Sequence, residues 1–317
     1  MRSTILILLF LPMLFSCADH EEPVTSGSGQ PESIPAGIAR VSFASGSPSR
    51  CVYIFRREGN TFRYDSMIDT GWSADGKLTA RLLVGDYKFL FLKPLNGQID
   101  VLPASLDKTV TIDQLRFAAR EDATHPGGIL PVEELFLPQP EVADSVYTIQ
   151  GEDKIECTLQ RRVSQLEFVL SRGYKDGDKY VAQPYEGGEN ILQTVKELRV
   201  EISGVARESN YLGTSGEGTV FCQYAASERQ SIDAQGFATF TGPFVFPPAN
   251  GGDVHLAITL VPLSGSAYPV LQLPGKIEAN RKLVVNLWLN ASYFDIGVTI
   301  DNLPISGHTD GDSGMWE

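Results

Sequence analysis

Apolar and polar residues alternate with a period of two along most of this chain, in runs of five to ten residues separated by glycine, proline, asparagine and aspartate. Such a pattern predicts half-buried β-strands joined by turns. In the first half the runs fall at residues 39–43, 51–56, 61–68, 78–82, 87–93, 108–112 and 146–149. Gly59-Asn60, Asp75-Gly76 and Gly85-Asp86 carry hairpin-type turn chemistry between them. The run Tyr87-Lys88-Phe89-Leu90-Phe91-Leu92-Lys93 is apolar on both faces, the signature of a central strand. Residues 124–140, with four prolines and two adjacent glycines, read as a long loop with at most one helical turn near 132–135.

A second series opens with Ile155, Cys157 and Leu159, pauses at Arg161-Arg162, and resumes with Leu166, Phe168 and Leu170. A polar loop is expected at 173–188, and further strands at 195–202, 219–224, 237–246, 254–263, 268–273, 283–289 and 294–300. Nowhere does an apolar period of 3.6 persist over a normal helix length. The expected fold is all-β: two tandem β-sandwiches, one at 38–154 and one at 155–317. Val41, Phe43, Ile54, Phe89, Phe91, Leu166, Phe168, Val200, Ile258, Leu287 and Val298 are the expected core positions.

The N-terminus follows a different rule. Arg2 precedes an apolar run from Ile5 to Leu14, and Phe15-Ser16-Cys17 follows at once. Ten apolar residues are half of the roughly 20 that a membrane-spanning helix needs, so residues 1–16 read as an export signal. A cysteine at the break matches a lipoprotein box, with Cys17 as the lipidated first residue of the mature chain. Asp19, Glu21 and Glu22 then lead into a Gly-, Ser- and Pro-rich tether, so that 17–37 links the lipid to the body. The net charge of −13 and the lack of a basic stripe argue against a nucleic-acid partner. Only Cys51, Cys157 and Cys222 remain after Cys17, too few and odd in number for a disulfide framework.

Catalytic chemistry finds little support. His20, His125, His255 and His308 are scattered, and none has a second histidine or a cysteine at metal-ligand spacing, so no metal and no cofactor is expected. No Gly-x-Ser-x-Gly elbow is present. Gly213 to Gly218 lacks the lysine and helix of a phosphate loop and reads as a hairpin loop. The acidic stretch Asp310-Gly311-Asp312 ends too early for a calcium loop. The chain reads as a non-enzymatic protein. Trp72 and Trp316 are loop and tail aromatics that a sugar-binding protein would stack on glycans, whereas Trp288 is expected in a core.

Several stretches resemble the fimbrillin superfamily of Bacteroidota, in particular its anchor and minor-subunit lipoproteins: Leu14 to Cys17, Ala39 to Phe43 with Val52 to Phe55, Gly85 to Phe89, Leu159 to Val163, and Val284 to Leu287. The resemblance implies transthyretin-like sandwiches, fimbrial subunits as partners, and a surface position held in the outer membrane by the N-terminal lipid. It also gives Arg50 a meaning. In shaft fimbrillins an arginine-directed protease cuts after the first strand; Arg50 ends the loop after that strand here, and an anchor must leave it uncut. Alternatives are a shaft or tip subunit processed at Arg50, or a glycan-binding surface lipoprotein. Leu303, Ile305, Met315 and Trp316 form a candidate partner-binding tail. Ser66 and Ser145, each preceded by aspartate, match a short O-glycosylation pattern of this phylum.

Overall fold

The computed structural model describes residues 37–45, 51–226, 230–290 and 297–304. The first half contains β1 (Ile38–Ser45), β2 (Cys51–Glu58), β3 (Thr61–Ile68), β4 (Lys77–Leu83), β5 (Gly85–Leu92), β6 (Ile99–Leu102), β7 (Arg116–Ala119), β8 (Phe136–Pro138), one short helix α1 (Pro140–Ala143), β9 (Tyr147–Ile149), β10 (Glu152–Cys157) and β11 (Leu159–Arg161). The second contains β12 (Ser164–Asp176), β13 (Lys179–Ala182), β14 (Val195–Val205), β15 (Glu208–Ser209), β16 (Thr214–Ser215), β17 (Gly218–Ala225), β18 (Gln230–Ile232), β19 (Ala238–Val245), β20 (Asp253–Pro262), β21 (Leu271–Lys276), β22 (Arg281–Leu289) and β23 (Gly297–Pro304). The fold is all-β, as the period of two requires.

Four sheets contain first-half strands: three that stack, and the two-stranded β11-β8. The sheet β3-β2-β5-β9 lies in the middle, covered on one face by β10-β1-β4 and on the other by β16-β15-β7-β6. Alternation therefore sends Ile54, Phe89 and Phe91 into one core and Tyr53, Phe55, Leu90 and Leu92 into the other. This explains why β5 is apolar on both faces. The second half is a sandwich of β17-β14-β20-β21 on β18-β19-β12-β22-β23, with Leu166, Phe168, Val200, Ile258 and Leu287 between the sheets. Every expected core position among those with described side chains is exposed by 2% or less; Val298 lies in β23, whose side chains are not described. Where β19 crosses β12 a bulge falls between Gln165 and Glu167. Gly242 allows it, because a Cβ there would sit 2.6 Å from the Leu166 carbonyl oxygen.

Several sequence expectations change. Ile155, Cys157 and Leu159 do not open the second sandwich: β10 pairs with β1, β11 pairs with β8, and all three side chains lie in the first-half core. Alternation identifies a strand but not the sheet it joins. Asp75-Gly76 makes a turn but no hairpin, and Gly85-Asp86 is no turn but the start of β5, paired with Ile149 and Thr148; β4 pairs with β1 while β3 and β5 flank β2. Residues 108–112 are no strand: Asp107 accepts from the Thr109 amide at 2.7 Å, and Thr111 and Gln114 cap a single 3-10 turn. The helical turn falls at α1, with Pro140 in its first turn, instead of at 132–135, where the chain is extended and bridges Val132 to Phe244. The loop expected at 173–188 begins as a hairpin of β12 with β13.

The two halves are joined by more than the chain. Ala206, Tyr211 and Phe246 from the second half lie in the first-half core, and β15 pairs with β7. Arg161, 4% exposed at its side chain, donates to Glu134 at 2.7 Å and to Asn280 at 3.1 Å. Arg162 donates to the carbonyls of Pro138 and Tyr211, both at 3.0 Å. The Arg-Arg interruption in the sequence is thus the fastening of the junction.

Candidate functional site: the first strand and its slot

β1 is the one strand of its sheet with a neighbour on both sides. Six residues run parallel to β10, from Arg40 opposite Glu152 to Ser45 opposite Cys157. Seven run antiparallel to β4, from Ile38 opposite Leu83 to Ala44 opposite Lys77. Ala39, Val41 and Phe43 point inward and are at most 1% exposed; Arg40 points out. Phe43 meets Phe89 and Phe91 edge-on, with centroids 5.1 and 5.7 Å apart. At about 1.5–3 kcal/mol for each large apolar side chain removed from water, the inward row is a principal fixture of this core.

The connection of β1 onward is what makes it a candidate site. β2 begins at Cys51 in a different sheet, so β1 touches the rest of the chain covalently only through residues 46–50 and what precedes it. Taken away, it would leave a slot between β4 and β10 with unpaired backbone donors and acceptors on both walls and aromatic rings for a floor. A slot of that kind accepts an extended strand with apolar residues at alternate positions. Cys17 and Arg50 themselves lie outside the described residues.

The remaining sequence candidates are dispersed. Ser66 is half-buried in β3, with its hydroxyl 3.4 Å from Asp65. Ser145 follows α1 and donates to the Glu141 carbonyl at 2.7 Å. Leu303 belongs to β23, its backbone opposite Lys282 at a sheet edge, and is therefore not part of a free tail; Ile305, Met315 and Trp316 lie outside the described residues. None of the three described cysteines is in a disulfide. Burial pushes the thiols of Cys51 and Cys157 up to about 12 and that of Cys222 to about 11, which makes them packing groups rather than nucleophiles. Trp72 packs against the core instead of standing free in its loop. Trp288, expected inside, is half-buried on an outer face and stacked on Tyr180, with rings 5.6 Å apart and 4° from parallel.

One polar constellation was invisible to spacing. Asp122 Oδ1 accepts from the Thr124 amide and hydroxyl, and its Oδ2 is 2.7 Å from His125 Nδ1. The imidazole stacks on Phe221 of β17, with centroids 4.3 Å apart. These hydrogen bonds pull the Asp122 carboxyl down to about 2. Thr124 and Asp122 compete for the same imidazole nitrogen, so no proton relay runs from hydroxyl through histidine to carboxylate. The cluster pins the 122–128 loop to the second sandwich. Among the described residues, no group of three or more His, Cys, Asp and Glu is placed to hold a metal.

No protein-family model matches the chain, and no curated protein matches it in sequence. Solved structures match its fold. The fimbrial anchor protein Mfa2 from Porphyromonas gingivalis superposes with a TM-score of 0.51 at 11% identity, over 84% of this chain and 97% of that one. A candidate polysaccharide-binding protein from Bacteroides thetaiotaomicron gives 0.53 at 11% identity, over 84% and 98%. A candidate adhesin from Bacteroides ovatus gives 0.52 at 11%, over 85% and 96%. The two-sandwich fold expected from the fimbrillin resemblance is thus shared over nearly the full length of these proteins. At this identity the likeness is one of fold.

Proposed function

We propose that this chain is a fimbrillin-type surface lipoprotein, held by lipid on Cys17 in the outer membrane, that serves a fimbria as anchor or minor assembly subunit. The carrying observation is the double pairing of β1. With β4 and β10 both satisfied and Phe43 seated on Phe89 and Phe91, the slot that a neighbouring subunit's strand would fill is already occupied. An anchor needs that state, because a cut at Arg50 would part the body from Cys17. The fold held in common with the anchor protein Mfa2 supports the same reading.

Contact with the fimbria then falls to the segment beyond β23, with Ile305, Met315 and Trp316 as its apolar anchors, and to open sheet edges. Ser66 and Ser145 are proposed glycosylation points; the Ser145 hydroxyl must give up its bond to Glu141 to be modified. N-terminal sequencing and mass analysis of the protein taken from assembled fimbriae test the reading. A blocked, lipidated Cys17 is expected; a chain that begins at Cys51 would instead make this a shaft or tip subunit with an emptied slot.

A further inference from the structure

The end of the second sandwich remote from the junction carries a cleft of about 470 Å³. Its position follows from strand direction. β12 and β22 run parallel away from Arg161, Arg162 and Asn280, and they end there, as β20 does, while β14 begins there. The volume lies within the range of small-molecule sites.

Arg172 is the feature that asks for a ligand. Its guanidinium lies over the Tyr185 ring, with Cζ 4.9 Å from the centroid, and its Nε is shut off from solvent without a hydrogen-bond partner. No ion pair or hydrogen bond of its side chain occurs among the described residues, whereas Arg161 and Arg162 are both bonded to protein oxygens, Arg162 through Nη2 although its Nε too lacks a partner. A chain with 39 acidic and 26 basic residues had ample means to pair it. The walls are fixed in advance. The Tyr185 amide donates to Gln235 O at 2.9 Å and that of Ile191 to Gly236 O at 3.0 Å. Gly236, at φ 80°, permits this fit, since a Cβ would fall 2.8 Å from Glu189 O and 2.9 Å from Tyr185 Cβ.

We propose that this cleft binds a carboxylated sugar, a hexuronic or sialic acid unit of a surface glycan, with Arg172 as the carboxylate anchor. A single planar guanidinium suits a monoanionic carboxylate through two parallel bonds. One cation beside the rim carboxylate of Glu189 is a poor match for a phosphate dianion, which is ordinarily met by several donors and positive charges. Tyr268 and the exposed Leu263 add apolar wall for a pyranose face, and Gln193 and Glu189 offer donors and acceptors for hydroxyls.

The inference stands on the cleft alone and holds whether or not β1 is retained in the fimbria. Saturation-transfer NMR and calorimetry on the soluble body would compare methyl glucuronide and methyl N-acetylneuraminate glycoside, free acids both, with methyl glucoside and acetate. Binding of at least one acidic sugar is expected, at least tenfold tighter than the neutral sugar or acetate. Arg172→Gln should abolish that preference, with Arg172→Lys in between and melting temperature and circular dichroism retained. Absent binding of both acidic sugars, equal binding of the neutral sugar, binding of acetate as tight as that of the sugars, or a folded Arg172→Gln protein with the preference intact would each overturn the proposal.

Discussion

Phe43 of β1 and Phe89 of β5 meet edge to face across the first core, 5.1 Å between centroids and 72° between planes. Quadrupole-complementary contacts of this kind add about 0.5–1.5 kcal/mol to what burial alone supplies. Phe43→Ala removes both this contact and the one to Phe91, and should cost about 3–5 kcal/mol by equilibrium denaturation. The same change should make the first strand easier to displace: a synthetic peptide spanning residues 38–45 should exchange into the variant faster than into the parent. Equal exchange rates would mean that the aromatic floor does not hold β1.

The junction gives a second test. Arg161 is almost wholly buried and its charge is matched by Glu134, which is 31% exposed. Glu134→Gln keeps the shape and removes the charge, leaving a buried guanidinium with a weaker acceptor. A loss of about 1.5–3 kcal/mol is expected, in keeping with hydrogen bonds to charged groups. Because Arg161 also holds Asn280 of the second half, unfolding should stay a single transition in the parent and broaden or split in the variant. A sharp, unshifted transition would show that the arginine pair is incidental to how the halves are held.

These two sites mark the limits of what the sequence discloses. Phe43 and Phe89 were legible as core because each sits in an alternating or doubly apolar run, and a period of two dictates facing. Arg161 and Arg162 read only as an interruption, for their partners Glu134, Tyr211 and Asn280 are distant in the chain and no local spacing encodes them. The short strands β6, β7, β8 and β16 escaped for a related reason: two to four residues carry too little alternation, and tertiary pairing makes the strand. The same gap hid Arg172, Tyr185 and Tyr268, which three separated segments bring together. Trp288 misled because it lies in a strand whose alternate residues are buried, and composition does not say which face a tryptophan takes.

Asp122 links loop order to acidity. Its carboxyl is held down to about 2 by Thr124 and His125, against an ordinary value near 3.9. A carboxyl depressed in the folded state contributes stability that is fully present above the ordinary value and is lost as pH falls through the folded one. The protein should therefore lose part of its stability between about pH 4 and 2, and Asp122→Asn should flatten that segment of the profile while lowering stability at pH 7. Denaturation midpoints measured across this range check it; a profile of unchanged slope in the variant would assign the acid sensitivity to other carboxyls.

Cys157 can report on the state of β1 directly. It ends β10 beside Ser45, is 6% exposed, and has its thiol pushed up to about 12 by burial in the core that β1 helps to close. Cys51 starts β2 in the core on the other side of the middle sheet, so its cover does not include β1. In a Cys51→Ala, Cys222→Ala background, the single remaining thiol of the soluble body should react with an aromatic disulfide reagent only on global unfolding, at a rate that tracks the folding equilibrium. Cleavage at Arg50 by an arginine-specific protease, followed by loss of β1, should raise that rate by at least a hundredfold under native conditions, and addition of a strand peptide that fills the slot should restore protection. If Cys157 stayed unreactive after β1 had left, the slot would have collapsed on itself, and strand exchange at this site would be closed to the protein whatever its place in a fimbria.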